Sequence, residues 1–381
     1  MASHFNKQIH LSKGLKLLSL DGGGVKGISS LVILDAIMNK LRDHHKLKDT
    51  PRHYDCFDLA GGTSTGGLIA LLLFRLQMTT SDAIDKFREI AKNLFSPRVF
   101  GMNLHDDFGT LGLWLGNAYV HWATLIGSSR FSAEPLQRAI DDVLKEKSPH
   151  EEDKSLGGES SLLRDEEYGA GKMFMCGTRI DRRESVLFRS YTAPKDAGSS
   201  EFENIDIGSA ACATSAAPTL LPSVSVLDVD FWDGGMLNNN PINQVWGARY
   251  DLGTPPRSVE QTTDDIAEEP VVSSVVSIGT GRNIGRVVLP EGLVNTIFAS
   301  LAFVTNTNAK HEDFRRDLER QNLRKPKGML TKYFRFDAVK GESFNIDDWQ
   351  RIKDIKEETE NWLRTDEAQN LFEECVEALS G

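Results

Sequence analysis

Residues 54–74 read YDCFDLAGGTSTGGLIALLLF, in which seven central positions (61–67) hold four glycines around a single serine. The segment before them is short and largely apolar, as a buried strand end is, and the segment after them favours a helix. The pentad GTSTG at residues 62–66 is therefore predicted at a strand-to-helix turn, which is the context of a G-x-S-x-G nucleophile elbow. Ser64 would then lie at a helix N-terminus, where exposed N–H groups favour a developing negative charge. A Gly/Ser-rich loop is the alternative for this pentad alone.

A second glycine cluster, DGGGVKG at residues 21–27, follows the strand-like LKLLSL and precedes a helix-like segment. It formally matches the G-x-G-x-x-G of dinucleotide-binding folds, but no strand ending in an acid follows about twenty residues later. A Walker A loop needs Gly-Lys-Ser/Thr, whereas Lys26 here precedes Gly27. Three consecutive glycines at a helix start present unobstructed backbone N–H groups, as an oxyanion hole for acyl transfer requires.

A serine nucleophile needs a base, and the sequence offers a carboxylate more readily than a histidine. None of the nine histidines lies in a glycine-bounded turn at a strand end, and only His311 lies late in the chain, in a segment typical of a solvated helix. Asp233, in FWDGG, ends a predicted strand, and two glycines leave room beside it. An ordinary Asp-Gly turn is the alternative for Asp233.

Composition excludes several classes of protein. The formal net charge of −11 argues against general nucleic-acid binding and against electrostatic adhesion to anionic membranes as the main anchor. The first ten residues lack the apolar core of a secretory signal, and the longest apolar run, LIALLLF, is too short to cross a bilayer. The four cysteines are scattered without a CxxC pair, which predicts neither a disulfide framework nor a zinc site. We therefore expect a soluble, cytoplasmic protein, with peripheral membrane association left open.

Strand-like and helix-like segments alternate along the chain, which predicts an α/β fold with a mostly parallel central sheet flanked by helices. Within it, residues 224–235 (VSVLDVDFWDGG) are predicted to form one strand that closes on a glycine turn, and residues 271–281 (VVSSVVSIGTG) a fully buried central strand. Residues 145–171 are polar and Gly/Ser-rich, so we predict a mobile surface insertion. Residues 352–379 have helical apolar spacing that indicates packing on the core.

Four blocks together resemble the patatin-like phospholipases: DGGGVKG, GTSTG, ATSAAPTLLP (residues 213–222) and DGG (residues 233–235), in that order. The resemblance covers residues 15–285 and implies a three-layer α/β domain there, with residues 286–381 as a mainly helical C-terminal extension packed on it. It also implies a Ser-Asp dyad in which Ser64 is the nucleophile and Asp233 the base. The implied oxyanion loop comprises Gly22, Gly23, Gly24 and the Val25 backbone, and the supporting motif positions are Lys26, Gly27, Gly62, Thr65, Gly66, Gly234 and Gly235.

One departure concerns Lys26, which stands where the family commonly has Arg. Lysine keeps the charge but lacks the planar fork, so any bidentate brace of the loop from this position would be weaker. We assign no catalytic role to Ser215, because the ATSAAP block is predicted to supply small residues beneath the dyad.

The resemblance implies a calcium-independent lipid acyl hydrolase, a phospholipase A or lysophospholipase, that cleaves carboxylic esters of phospholipids, galactolipids or lysolipids through an acyl-enzyme. No cofactor and no metal are expected. The expected partner is lipid at a membrane or micelle surface, in peripheral contact. The acyl-chain pocket has five candidates, for most of which core packing is the alternative: Leu111, Leu113, Trp114, Tyr119 and Trp122. A basic run is a candidate for headgroup contact, with a solvated helix face as the alternative: Arg315, Arg316, Arg320, Arg324, Lys325 and Lys327.

Two rival hypotheses remain. A standard α/β-hydrolase would pair Ser64 with a late histidine, but it would leave Asp233 and its glycines unexplained. A storage or scaffold protein would keep the fold without turnover, which the intact Ser64, Asp233 and glycine loop argue against.

Overall fold

The structure is a computed structural model. It describes residues 14–96, 98–99, 102–103, 131–157, 161–165, 171–194, 200–218, 220–252, 269–281, 307–338 and 344–381.

These residues contain ten strands, of which eight form one central sheet. In chain order the strands are β1 (Leu15–Leu20), β2 (Leu59–Thr63), β3 (Arg98–Val99), β4 (Met102–Asn103), β5 (Met173–Arg179), β6 (Glu184–Arg189), β7 (Val224–Val226), β8 (Val229–Asp233), β9 (Val272–Ile278) and β10 (Lys332–Phe336). The sheet order is β10-β9-β1-β2-β5-β8-β7, with β6 also paired to β5, while β3 and β4 pair only with each other. The neighbouring strands β10, β9, β1, β2 and β5 run parallel to one another. Strands β6 and β8 pair antiparallel with β5, and β7 pairs antiparallel with β8.

The helices of the described residues are α1 (Gly27–His44), α2 (His53–Cys56), α3 (Thr65–Ala70), α4 (Thr80–Phe95), α5 (Glu134–Lys147), α6 (Glu151–Leu156), α7 (Ile207–Ser215), α8 (Gly235–Asn238), α9 (Ile242–Ala248), α10 (Thr307–Asn322), α11 (Ile352–Leu363) and α12 (Asp366–Ser380). A π-helical segment, Leu71–Arg75, continues α3. No helix among the described residues is long and apolar enough to cross a membrane.

Apolar side chains cover both faces of the sheet. On β1, Leu18 and Leu20 belong to the larger apolar cluster with α1, α4, α11 and α12, whereas Leu17 belongs to a second cluster with α9 and α10. This alternation follows from the two-residue period of a strand, and burial on both faces explains why apolar residues predominate along β1 and β5. The predicted α/β fold with a mostly parallel sheet between helices is therefore confirmed. The strand predicted over residues 271–281 is β9, an inner strand of the sheet that spans residues 272–278 and is buried except at Ser273.

The prediction of one strand before the glycine turn is wrong, because the segment forms two strands, although the second does end at Asp233 before Gly234 and Gly235. The chain reverses between β7 and β8 through Leu227 and Asp228, whose φ angles are 48° and 61°. Positive φ at both central residues is typical of the two-residue type I′ hairpin, which glycine or asparagine usually marks. Neither residue type is present here, so the apolar alternation concealed the turn. The reversal determines the direction from which Asp233 reaches β5.

The prediction of a mobile surface insertion at residues 145–171 is also wrong for the part that the structure describes. Helix α6 lies within it, and Asp153 on this helix is only 5% exposed. Its carboxylate accepts two hydrogen bonds from the buried Arg75 guanidinium, at 3.0 and 3.3 Å, and Asp165 lies 3.5 Å from the same group. A buried arginine needs such carboxylates, so Asp153 and Asp165 hold this segment against the core, whereas Glu151 and Glu152 are exposed.

Residues beyond 285 contribute to the same sheet. Strand β10 pairs with β9 along its whole length, and Ile355 on α11 and Cys375 on α12 are fully buried. The division at residue 285 remains a prediction.

Candidate active site

Ser64 lies in a tight turn between β2 and α3, as its glycine-rich surroundings predict. Its φ of 51° and ψ of −124° lie in a region that non-glycine residues rarely adopt, at a cost of about 1–3 kcal/mol. The turn brings backbone segments too close together for side chains at its flanks. A Cβ at Gly62 would lie 2.2 Å from the Gly66 carbonyl oxygen, and a Cβ at Gly66 would lie 2.2 Å from that of Leu20. The flanking glycines are thus required by close backbone contacts.

Thr214 holds this turn in place, a role that the sequence analysis missed. The Ser64 N–H donates to Thr214 Oγ1 at 3.0 Å, and the Thr214 hydroxyl donates to the Cys176 carbonyl oxygen at 2.7 Å. The turn is thereby tied to β5 through a fully buried side chain of α7. Thr214 belongs to the ATSAAP block, which was predicted to supply only small residues.

The sheet brings Ser64 and Asp233 together because β2 and β8 end at the same point of β5. One edge of β5 pairs with β6, so β2 and β8 share the other edge. The last residue of β2, Thr63, pairs with Cys176, and the last residue of β8, Asp233, pairs with the adjacent Gly177. Because β2 runs parallel and β8 antiparallel to β5, their carboxyl ends meet there. Ser64, which follows Thr63, therefore lies beside Asp233.

The Asp233 carboxyl is buried, with 6% of the residue exposed. Burial raises its pKa to about 6, although the Gly235 N–H and the Ser64 hydroxyl both act to lower it. Its Oδ1 accepts the Gly235 N–H at 2.6 Å. Gly234 is required by proximity, because a Cβ there would lie 2.3 Å from the Cys176 carbonyl oxygen. A carboxylate with this pKa is ionised near neutral pH and still has appreciable basicity.

The glycine loop, residues 22–24, is held by hydrogen bonds to its peptide groups. The Gly22 N–H donates to the Asn239 carbonyl oxygen at 2.9 Å, and the Gly22 carbonyl oxygen accepts the Thr280 hydroxyl at 2.7 Å. The Gly24 carbonyl oxygen accepts the hydroxyl of Thr65, the residue after Ser64, at 3.0 Å. This last bond ties the loop to the turn that carries Ser64.

The four predicted oxyanion donors are not equivalent. The Gly22 N–H is engaged by Asn239, and the Val25 N–H donates to the Ile346 carbonyl oxygen at 2.9 Å. Within the described ranges, the N–H groups of Gly23 and Gly24 have no hydrogen-bond partner. Gly24 has a φ of +59° and lies where a Cβ would be 2.0 Å from the Ile346 oxygen, so this position requires glycine.

Lys26 and Gly27 follow the loop and lead into α1. Burial lowers the pKa of Lys26, partly offset by the charge of Asp337, and its ammonium forms no hydrogen bond with any residue that the structure describes. Gly27 begins α1, and a Cβ there would lie 2.0 Å from the Thr65 side chain. Lys26 therefore does not act as a bidentate brace of the loop.

Other predicted residues lie elsewhere. His311, on α10, has its Nδ1 2.9 Å from the Tyr333 hydroxyl and its Nε2 3.5 Å from Glu312. The candidate acyl-pocket residues between 111 and 122 lie outside the described residues. In the described part of the chain, no three His, Cys, Asp or Glu side chains are grouped as a metal site would need.

The site therefore combines a serine hydroxyl at a strained turn, a buried carboxylate of raised pKa and two backbone N–H groups that have no partner among the described residues. A nucleophile, a base and donors for an oxyanion are the components that acyl transfer needs. In the sequence, this arrangement is signalled by the glycines at positions 62 and 66 around Ser64 and by the Asp-Gly-Gly at residues 233–235. The supporting contacts of Thr214, Thr280 and Asn239 have no such local signal.

Comparison with known proteins gives a consistent result. The chain is 27% identical over 258 residues to phospholipase A I of Arabidopsis thaliana, covering 60% of this chain and 19% of that protein. It is 26% identical over 238 residues to the cGAMP-activated phospholipase of Vibrio cholerae, covering 61% and 57%, and 44% identical over 63 residues to patatin group M-2 of Solanum tuberosum, covering 16% of each. The chain thus spans less than two thirds of the length of these relatives. The model of the patatin-like phospholipase family matches residues 18–246, and the chain belongs to that family.

Proposed function

We propose that this protein is a lipid acyl hydrolase that cleaves carboxylic ester bonds through the Ser64–Asp233 dyad and an acyl-enzyme intermediate. The observation that carries the proposal is the meeting of β2 and β8 on β5, which places the strained Ser64 beside a buried carboxylate. Family membership supports a lipid ester as the substrate.

In the proposed reaction, Asp233 accepts the proton of the Ser64 hydroxyl as its oxygen attacks the ester carbonyl carbon. The carbonyl oxygen becomes an oxyanion, which the N–H groups of Gly23 and Gly24 stabilise because they have no other partner among the described residues. Collapse of the tetrahedral intermediate expels the alcohol, which takes the proton from Asp233. Water then attacks the acyl-enzyme with Asp233 again as base, and the fatty acid and free Ser64 are released.

Three threonines hold the reacting groups in position in this scheme. Thr214 fixes the backbone of Ser64, Thr280 fixes the Gly22 carbonyl, and Thr65 links the two glycine-rich turns. Because a peptide group is planar and trans, holding the Gly22 carbonyl also orients the Gly23 N–H on the opposite side. The Gly23 donor is thus held before substrate binds, which is the condition for electrostatic stabilisation of an oxyanion.

We further propose that the enzyme is a calcium-independent phospholipase A or lysophospholipase that meets its lipid at a membrane or micelle surface in peripheral contact. The basic run on α10 is a weak candidate for that contact. Arg315, Arg316 and Arg320 each pair with an acid on the same helix, which supports a solvated helix face. Moreover, α10 ends beside the amino-terminal end of β10. Because β10 runs in the same direction as β2, this end of the sheet lies opposite to the end where Ser64 follows β2.

The activity is tested with a short p-nitrophenyl ester in excess chelator, followed by mass spectrometry of products from phospholipids, lysophospholipids and galactolipids. We expect ester cleavage that chelator does not change, because neither dyad residue requires a metal. Boiled protein is the control. Absence of hydrolysis of every ester would contradict the proposal and favour a scaffold protein, and loss of activity that calcium restores would contradict calcium independence.

The pH dependence of kcat/KM follows from the buried base. Burial raises the pKa of Asp233 to about 6 and the ionised form is the active one, so activity should rise about tenfold per pH unit below pH 6 and level off above it. A neutral ester at constant ionic strength is used between pH 4.5 and 8, with circular dichroism to confirm folding at each pH. An acid limb with a pKa below about 5 would contradict a buried carboxylate base, since such values are ordinary for exposed carboxyl groups.

A further inference from the structure

We infer that Arg335 is a positioning residue of the acyl-transfer site, holding the glycine loop through Asp21 so that the Gly23 and Gly24 N–H groups keep their geometry. The inference rests on the proposed function. Arg335 lies on β10, beyond the residues that the family model matches.

Arg335 contacts the residue that leads into the loop. Its Nη1 donates to Asp21 Oδ1 at 3.0 Å and its Nη2 to Asp21 Oδ2 at 2.7 Å, which is a bidentate pair. Both side chains are buried, at 3% and 0% exposure. A guanidinium is a rigid planar fork, so a bidentate pair fixes the orientation of the carboxylate as well as its position. Because Asp21 directly precedes Gly22, this orientation constrains the start of the loop.

A second route runs from the same arginine through the segment after β9. Arg335 Nη2 donates to Asp337 Oδ2 at 3.0 Å, and Asp337 Oδ1 accepts the Gly281 N–H at 2.7 Å. Gly281 follows Thr280, whose hydroxyl holds the Gly22 carbonyl. A Cβ at Gly279 would lie 2.3 Å from Arg335 Nη2, so glycine is needed there for the guanidinium to reach both carboxylates. Arg335 thus acts on the loop at Asp21 and at Thr280.

Arg335, on β10, has the bracing role at the glycine loop that the sequence alone suggests for Lys26. Lys26 follows the loop, and its ammonium forms no hydrogen bond with the described residues, whereas Arg335 supplies the bidentate contact from about 310 residues further along the chain. The glycine loop is flexible by composition, because glycine has the largest backbone freedom of any residue. An external brace is therefore the expected means of keeping its N–H groups aligned.

Arg335→Gln should reduce kcat while leaving substrate binding nearly unchanged. Loss of a whole oxyanion donor costs about 10²–10³-fold in kcat, so loosening two donors should cost about 10–10²-fold, with KM within about threefold. Arg335→Lys keeps the charge without the fork, and its kcat should lie between those of wild type and Arg335→Gln. The Arg335→Gln protein is expected to tolerate the unpaired Asp21 carboxyl. Burial already raises its pKa to about 6, and loss of the arginine raises the pKa further, so the carboxyl becomes the neutral acid.

The matched control is Arg75→Gln. Arg75 also forms a buried bidentate pair, with Asp153, and its other hydrogen bonds go to the carbonyl oxygens of Leu162 and Leu163. Its loss should lower the melting temperature comparably, yet leave kcat per folded molecule near that of wild type. Hydrogen exchange of the amides at residues 21–27 should be faster in Arg335→Gln than in Arg75→Gln.

The outcomes separate the two proposals. A wild-type enzyme that hydrolyses ester, together with a folded Arg335→Gln variant of unchanged kcat and unchanged exchange at residues 21–27, would overturn only the role of Arg335. If Arg335→Gln does not fold, the kcat of Arg335→Lys decides, and a wild-type value would again overturn it. If the wild type hydrolyses no ester but the amides at residues 21–27 exchange faster in Arg335→Gln than in Arg75→Gln, only the proposed hydrolase activity would be refuted.

Discussion

Replacing Ser64 with alanine should lower kcat for ester hydrolysis by at least ~10⁴-fold, since loss of a nucleophile removes the covalent route altogether. The fold should be retained. The Ser64 side chain makes no capping hydrogen bond to α3, and the hydrogen bond that anchors this turn uses the backbone N–H, which alanine keeps. The measurement is steady-state hydrolysis of a p-nitrophenyl ester, with melting temperature as the check on folding.

Ser215→Ala is the matched control for Ser64→Ala. Ser215 is buried next to Thr214, and its hydroxyl has no hydrogen-bond partner among the described residues, so the substitution leaves no group unpaired. We expect its kcat to stay within about threefold of wild type, because no step of the mechanism uses this hydroxyl. Equal losses in the two variants would mean that the region, rather than Ser64 itself, is needed for activity.

Asp233→Asn should lower kcat by at least ~10²-fold, which is the usual scale for loss of a general base. The amide has the shape of the carboxyl and its oxygen can still accept the Gly235 N–H, so the turn after β8 is preserved. His311→Ala is the comparison that separates a dyad from a triad. Its described contacts are with Tyr333 and Glu312, and we expect its kcat to be nearly unchanged. A folded Asp233→Asn enzyme with normal turnover would contradict the dyad, and a folded but inactive His311→Ala would indicate a triad.

Stability gives an independent check on Asp233. Burial raises its pKa above the ordinary value, so the folded protein binds this proton more tightly than the unfolded chain does between about pH 4 and about pH 6. The contribution of this group to the free energy of unfolding therefore falls as pH rises through that window. Above pH 7 a buried ionised carboxylate remains, and Asp233→Asn removes it. The variant should accordingly melt at or above the wild-type temperature at pH 8.

The features that sequence predicts well are those with local causes. The turn at Ser64 is visible because close backbone contacts exclude side chains at Gly62 and Gly66, and this leaves a glycine pattern in the chain. The α/β fold is visible because strands buried on both faces are rich in apolar residues, as in β1. Both kinds of pattern can be interpreted without knowing which segments become neighbours.

The features that sequence misses depend on partners far apart in the chain. Asp153 looked solvated because its buried partner, Arg75, lies 78 residues away. The hairpin at Leu227 was concealed because no glycine or asparagine marks it. Arg335, in YFRFD, is a charged residue within an apolar strand, which indicates a buried ion pair, but only the fold reveals that the partner is Asp21. The catalytic and oxyanion roles of the site residues remain predictions.

The most direct measurement is covalent labelling with an active-site fluorophosphonate, followed by peptide mapping. Such reagents react with a serine that is activated by a base and lies beside oxyanion donors, and in the described structure Ser64 combines these features. We predict one label per chain, on Ser64, with labelling abolished in Ser64→Ala and strongly slowed in Asp233→Asn. A label on Ser215 or Ser19 with Ser64 unmodified would contradict the central claim that Ser64 is the nucleophile.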